Sequence, residues 1–224
     1  MRFLLVLVMG MTLAGMMACS KDQKAGGDDC TPLSQQEMQA MVEKVKSMPM
    51  EPVKENEVAV LETNYGKMVI DLFPDKAPQH TAAFKRLINA GYYDCTKFHR
   101  VINDFMIQGG DLATRDENPE NDGGGSGPGY TLEAEFNDVQ HEEGVLSMAR
   151  GRDPNSAGSQ FFICLTREKC RHLDGQYTAF GRVVEGLEVL RNIGNVDTKT
   201  SPVYQAPVLP SEPVIITDAF MQTR

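Results

Sequence analysis

The 224-residue chain has no tryptophan, only four histidines and five cysteines, and no hydrophobic run long enough to cross a membrane as a helix. Lys and Arg number 22 against 31 Asp and Glu, a formal charge of −9. That balance argues against non-specific nucleic-acid binding, which needs a basic surface. The His and Cys spacings match no zinc signature. No Ser-His-Asp set or paired carboxylates stand out. The Gly-rich stretch ATRDENPENDGGGSGPG (113–129) lacks the Lys-Ser/Thr ending of a phosphate loop and reads as plain surface loop. No internal repeat is visible. Neither a metal nor a cofactor is expected.

What is there begins with a targeting segment. MRFLLVLVMGMTLAGMMAC has a short basic start at Arg2, an apolar run from Phe3, and small residues before Cys19, the layout of a secretory signal over residues 1–18. MMAC followed by Ser20 resembles a bacterial lipobox, with Met16 where Leu is usual. That resemblance implies lipidation at Cys19 and an exported, envelope-anchored protein, on the outer membrane where one exists. Residues 19–52 read as a tether with one short helix, SQQEMQAMVEKVKSM. Ser34 and Glu37 have capping-box spacing, and Met38, Met41, Val42, Val45 and Met48 share a face. This helix either lies against the main domain or docks a partner weakly. Cys164, inside the apolar FFICL, reads as a buried thiol. Export permits disulfides, and pairing among Cys30, Cys95 and Cys170 stays open.

The main domain spans 53–224. EVAVLET and KMVIDLF alternate around Asn64-Tyr65-Gly66 and predict a hairpin. APQHTAAFKRLINAG predicts a helix with Pro78 in its first turn and Gly91 as its C-cap. YTLEAEF, GVLSMAR, SQFFICL, TAFGRVVE and VIITDAFMQ read as further strands, and GLEVLRNIG as a second domain helix. The fold class is mostly β. Short strands with turn punctuation suit a closed eight-stranded antiparallel β-barrel capped by two helices, because closure removes exposed edges.

FHRVINDFMIQGGD (98–111) poses the chemical question. Alternation puts Arg100 on one face with Phe98 and Ile102, where a guanidinium is costly unless paired, with Asp104 or Asp111 for instance, or waiting at a groove for a ligand. His99 alternates away as a satisfied structural histidine, His80 falls on a helix surface, and His141 in a loop.

FHRVINDFMIQGGD, GVLSMAR, NSAGSQFFICL and LDGQYTAFGRV together, in this order and spacing, resemble the cyclophilins, a barrel family of peptidyl-prolyl cis-trans isomerases. The resemblance covers about residues 57–221. It implies that Arg100 is catalytic and that Phe105, Met106 and Gln108 line the groove. It implies that the backbone at Ala149 and Arg150 holds substrate and that Gln160 hydrogen-bonds it. Phe162, Leu173 and Tyr177 would then form the floor and walls of a proline pocket. Tyr177 replaces a common His, and His172 stands where drug-sensitive members have Trp. Simple alternation would send Phe105 away from Met106 and Gln108, so its place in the pocket requires an irregularity at the start of that strand. The implied partners are proline-containing segments of unfolded or extended proteins, and a monomer is expected.

Overall fold

A computed structural model describes residues 30–125 and 127–224. The signal segment and Cys19 lie outside the described residues. The chain enters at Cys30, which is bonded to Cys95 with an S–S distance of 2.05 Å. Helix α1 (Gln35–Ser47) starts at the expected capping box: Glu37 N donates to Ser34 Oγ, and Ser34 N donates to Glu37 Oε2 at 2.8 Å. Its Met38, Met41, Val42 and Met48 are partly buried against the core, and Val45 is fully buried. Lys44 Nζ donates to Ala90 O at 2.7 Å, satisfying a carbonyl at the C-terminal end of α2 (Pro78–Ala90). Of the two roles open to this helix, it takes the packed one.

Strands β1 (Glu57–Thr63) and β2 (Gly66–Leu72) form the expected hairpin. They are followed by α2, then β3 (Arg100–Ile102), β4 (Met106–Gly109), β5 (Val145–Met148) and β6 (Phe161–Cys164). A single-turn helix α3 (Arg167–Cys170), β7 (Ala179–Glu185) and α4 (Leu187–Gly194) come next. Then β8 (Thr198–Thr200) and β9 (Pro207–Pro210) make a separate hairpin before β10 (Ile216–Thr223). The main sheet runs β10-β1-β2-β7-β5-β6-β4-β3 with antiparallel pairing at each step. It wraps a core in which Phe84 of α2 meets Tyr93, Phe161 and Phe180 at centroid distances of 5.2–5.5 Å.

Four sequence expectations need correction. The eight-stranded sheet is an open, strongly curled half-barrel, not a closed one. Its ends are β10 and β3, and β3 is only three residues long. The chain before β3 spans the gap through an isolated bridge, Lys97 to Ile215, and scattered bonds such as Phe98 N to Val214 O at 2.9 Å. These satisfy edge groups without building a ladder. The described helices are four, since α3 joins α1, α2 and α4. YTLEAEF forms no strand beyond one bridge, Leu132 to Ala157. Its Glu135 is drawn away to cap α2, accepting from the N–H groups of Gln79 and His80, both at 3.0 Å. His80 is not on a surface: it is fully buried, with Nδ1 2.7 Å from Glu135 Oε2. Helix α2 buries most of its circumference, so a polar residue on it needs a partner inside.

Candidate active site

One cleft of about 530 Å³ opens on the outer side of β3, β4 and β6. All ten residues singled out in the domain line it: Arg100, Phe105, Met106, Gln108, Ala149, Arg150, Gln160, Phe162, Leu173 and Tyr177. The β3–β4 register explains half of this. Arg100 pairs with Gln108 and Ile102 with Met106, while Val101 and Ile107 between them point into the core. Phe98 lies outside β3 and packs in the core against Phe161, so alternation does not carry it onto the face of Arg100. Phe105 also precedes its strand. It follows Asp104, whose φ of 59° turns the chain, and its N–H bonds Ile102 O at 3.0 Å. That turn is the irregularity that alternation required, and it returns Phe105 to the side of Met106.

The cleft has two unlike halves. The apolar half comprises Met106, Phe162 and Leu173, all nearly buried, with Phe105, Ala149 and Tyr177 packed around them. Tyr177 meets Phe162 edge-on at 5.6 Å, and His141 stacks beneath Phe162 at 6.1 Å. His141 is itself fully buried and fixed by Asp174 Oδ1 at 3.1 Å and Ser147 Oγ at 2.9 Å. Burial holds its pKa below the usual histidine value, so it serves as a neutral support.

The polar half is a hydrogen-bonded chain. Arg100 Nη1 donates to Gln108 Oε1 at 3.0 Å, and Gln108 Nε2 to Gln160 Oε1 at 3.0 Å. Gln160 Nε2 donates to Asp111 Oδ2 at 3.3 Å. Asp111 is buried and also accepts from the amides of Ala113, Gly123 and Gly125. Among the described residues no carboxylate lies within ion-pair reach of Arg100, so neither Asp104 nor Asp111 neutralises it directly. Arg150 turns its side chain away, with Cζ 4.5 Å from the Tyr177 ring centroid and two bonds to Gln176 O. Ala149 N is already bonded to Gln160 O at 2.9 Å.

Three features of the site escaped the sequence reading. The 113–129 stretch is more than plain loop, since Gly123, Gly124, Gly125 and Gly127 form one wall of the cleft. Tyr204, from the β8–β9 turn, lines it as well. His99 is buried and only weakly satisfied: neither ring nitrogen makes a well-formed hydrogen bond among the described residues, and the Lys97 backbone is its polar contact. Nor do the described residues contain a group of three or more His, Cys, Asp or Glu able to hold a metal ion.

The family model for cyclophilin type peptidyl-prolyl cis-trans isomerases matches residues 58–219. The chain belongs to the cyclophilins. A peptidyl-prolyl cis-trans isomerase of Synechococcus elongatus is 45% identical over 142 residues, covering 62% of this chain and 90% of that protein. Peptidyl-prolyl cis-trans isomerase B of Bacillus subtilis is 46% identical over 134 residues, covering 58% and 85%. Among solved structures, a Cryptosporidium parvum cyclophilin crystallised in the presence of the dipeptide Ala-Pro aligns with a TM-score of 0.62 at 30% identity. That alignment covers 75% of this chain and 99% of that one. The enzyme is therefore a cyclophilin-type isomerase of X-Pro peptide bonds, and the cleft is its candidate active site. Helix α1 and Cys30 fall outside the matched span and are additions to the family domain.

Proposed function

We propose that this cyclophilin accelerates rotation about X-Pro bonds in extended segments of exported or envelope proteins, with Arg100 as the catalytic group. The observation that carries the reading is a guanidinium with no carboxylate partner among the described residues, at the edge of an apolar hollow. An X-Pro bond prefers trans only slightly yet isomerises over tens to hundreds of seconds, because rotation must break C–N conjugation at a cost of about 18–20 kcal/mol. In the twisted state the proline nitrogen regains its lone pair. A cation aimed at that nitrogen stabilises the twisted state more than the planar one, and only this difference speeds the reaction. Phe105, Met106, Phe162, Leu173 and Tyr177 hold the ring. Gln108, Gln160 and the backbone at Ala149 and Arg150 hold the flanking peptide. The Ala-Pro dipeptide supplied to the Cryptosporidium relative supports a proline-containing peptide as the ligand. Nothing in this scheme needs a nucleophile or a second subunit, and the enzyme acts as a monomer.

The Cys30–Cys95 bond supports an oxidising compartment such as the periplasm. Lipidation at Cys19 would hold the domain at the membrane through the residues before Cys30. Two measurements test these readings. Exchange spectroscopy on a proline peptide should show Arg100→Ala reduced by about 100-fold or more in kcat/KM, and an undiminished rate would remove Arg100 from the role. Labelling with palmitate should depend on Cys19, and a label that survives Cys19→Ser would rule out that anchor.

A further inference from the structure

Among the described residues Arg100 makes a single hydrogen bond, through Nη1, and its buried Nε has no partner. One bond leaves a guanidinium free to pivot about that contact. It lies instead over the ring of Tyr204, with Cζ 5.2 Å from the ring centroid. Tyr204 reaches this place from the turn between β8 and β9, a hairpin separate from the main sheet.

The ring is held on several sides. It lies nearly parallel to His99, at 7° and 6.4 Å between centroids. Its hydroxyl sits so close over Gly123 that a Cβ at that residue would collide with it, and Gly123 has a φ of +86° that favours glycine in any case. The turn beneath is fixed by buried Ser201, whose Oγ accepts from the N–H groups of Val203 and Tyr204, while Gln205 N bonds Ser201 O at 2.9 Å. Tyr204 Oη makes no hydrogen bond among the described residues, so its polar end does not explain its position. Burial raises the pKa of the phenol and keeps it neutral, and it holds His99 neutral too. Arg100 is thus the cation facing this ring, and the contact is one of charge against a π face.

We propose that Tyr204 is a positioning residue of the isomerase: its ring face clamps the Arg100 guanidinium against Gln108 and keeps it directed into the cleft. The inference rests on the catalytic role proposed for Arg100. A clamp that acts through Arg100 raises turnover more than substrate affinity, because the cation is most needed in the twisted state. The contact needs a π face, so phenylalanine can replace tyrosine and leucine cannot.

The test is a cycle of full-length chains: wild type, Tyr204→Leu, Tyr204→Phe, Arg100→Ala and the Tyr204→Leu/Arg100→Ala double variant. Each is assayed by exchange spectroscopy on a proline peptide. Tyr204→Leu should lose about tenfold in kcat with KM little changed, within the range for a desolvated cation–π contact. Tyr204→Phe should stay within about twofold of wild type, and the double variant should be no slower than Arg100→Ala alone. The wild-type chain offers a second reading that needs no Tyr204 variant. The side-chain Hδ and Hε resonances of Arg100, assigned by comparison with Arg100→Lys, should be displaced upfield by the ring current. Tyr204→Leu at wild-type speed, an equal loss in the Arg100→Ala background, or undisplaced Arg100 resonances would each overturn the clamp. An Arg100→Ala chain as fast as wild type would overturn the role of Arg100 as well, and the resonance displacement would still report whether the ring covers the guanidinium.

Discussion

Arg100 is linked to Asp111 through two amides, Gln108 and Gln160, and not by a direct ion pair. The direction of every bond in this relay follows from its ends. The guanidinium can only donate, so Gln108 must turn its oxygen towards it and its NH₂ towards Gln160. Gln160 then has its own NH₂ left for the carboxylate. The buried anion at Asp111 therefore orients the network while remaining too far away to neutralise the cation. That resolves the conflict posed by a guanidinium beside apolar residues: it is positioned by an acid, yet its charge stays available to a ligand.

Replacing the first amide by an acid should destroy this separation. Gln108→Glu keeps size and one acceptor but puts a carboxylate in direct contact with Arg100. We expect kcat/KM to fall by about 10- to 100-fold through loss of transition-state stabilisation, and the urea midpoint to fall as well, because the new carboxylate oxygen faces Gln160 Oε1 where the amide donated. Exchange spectroscopy on a proline peptide measures the first and fluorescence-detected unfolding the second. A Gln108→Glu enzyme of normal activity would mean that the free charge on Arg100 is not what the reaction uses.

Glu135 is expected to be a stability residue. The N-cap of α2 is Ala77, which has no capping side chain, so Glu135 caps the helix from 55 residues away and also holds buried His80. Glu135→Ala strands two helix amides and a ring nitrogen, at a cost of about 2–3 kcal/mol. That corresponds to a drop in Tm of about 5–10 °C for a chain of this size. Glu135→Gln, which keeps acceptor oxygen, should lose less. Calorimetry on the two variants decides the point, and equal losses would show that the charge rather than the cap is what counts.

Much of this fold was legible because the signals are local. The capping box at Ser34 and Glu37, the Asn64-Tyr65-Gly66 hairpin and the Gly91 cap each depend on a few neighbouring residues. The cleft was legible from four motifs whose family spacing already encodes tertiary contacts. What escaped is non-local. No pattern in YTLEAEF says that Glu135 leaves its strand to cap a helix. The proline-flanked segment around Tyr204 carries no strand alternation, so the hairpin that brings this ring to Arg100 is invisible in sequence. Burial of His80 depends on what covers α2, and barrel closure on whether β3 is long enough to meet β10.

The Cys30–Cys95 bond should contribute strongly to stability, since it closes a separation of 65 residues and pins α1 to the domain. Chain-entropy reasoning gives about 4 kcal/mol for a loop of that length. Reduction, or the Cys30→Ser/Cys95→Ser pair, should lower the urea midpoint accordingly, while the folded fraction keeps isomerase activity because neither cysteine lines the cleft. Coincident unfolding curves for oxidised and reduced protein would show that the buried face of α1 and its hydrogen bonds to α2 hold it without the disulfide.

His99 should make the protein acid-sensitive over a defined window. Burial lowers its pKa to about 4, opposed in part by Asp111 and the Lys97 backbone, while the unfolded chain takes up the proton near the usual histidine value. Above about pH 6.5 neither state is protonated at this site and nothing is lost. As pH falls from there towards 4, only the unfolded state gains the proton, so stability declines by up to about 1.4 kcal/mol per pH unit. Below 4 both states are protonated and the loss levels off. Asp122 acts in the opposite sense over part of the same range. Burial raises its pKa to about 6, so the folded state takes up the proton first and gains stability as pH falls. Comparing wild type with His99→Phe removes that contribution, because Asp122 is common to both chains. The variant keeps a ring to stack on Tyr204 and should show a flatter decline in urea midpoint between pH 6.5 and 4.5. Parallel declines in the two chains would mean that folded His99 takes up its proton over the same range as the unfolded chain, and that burial does not hold it neutral.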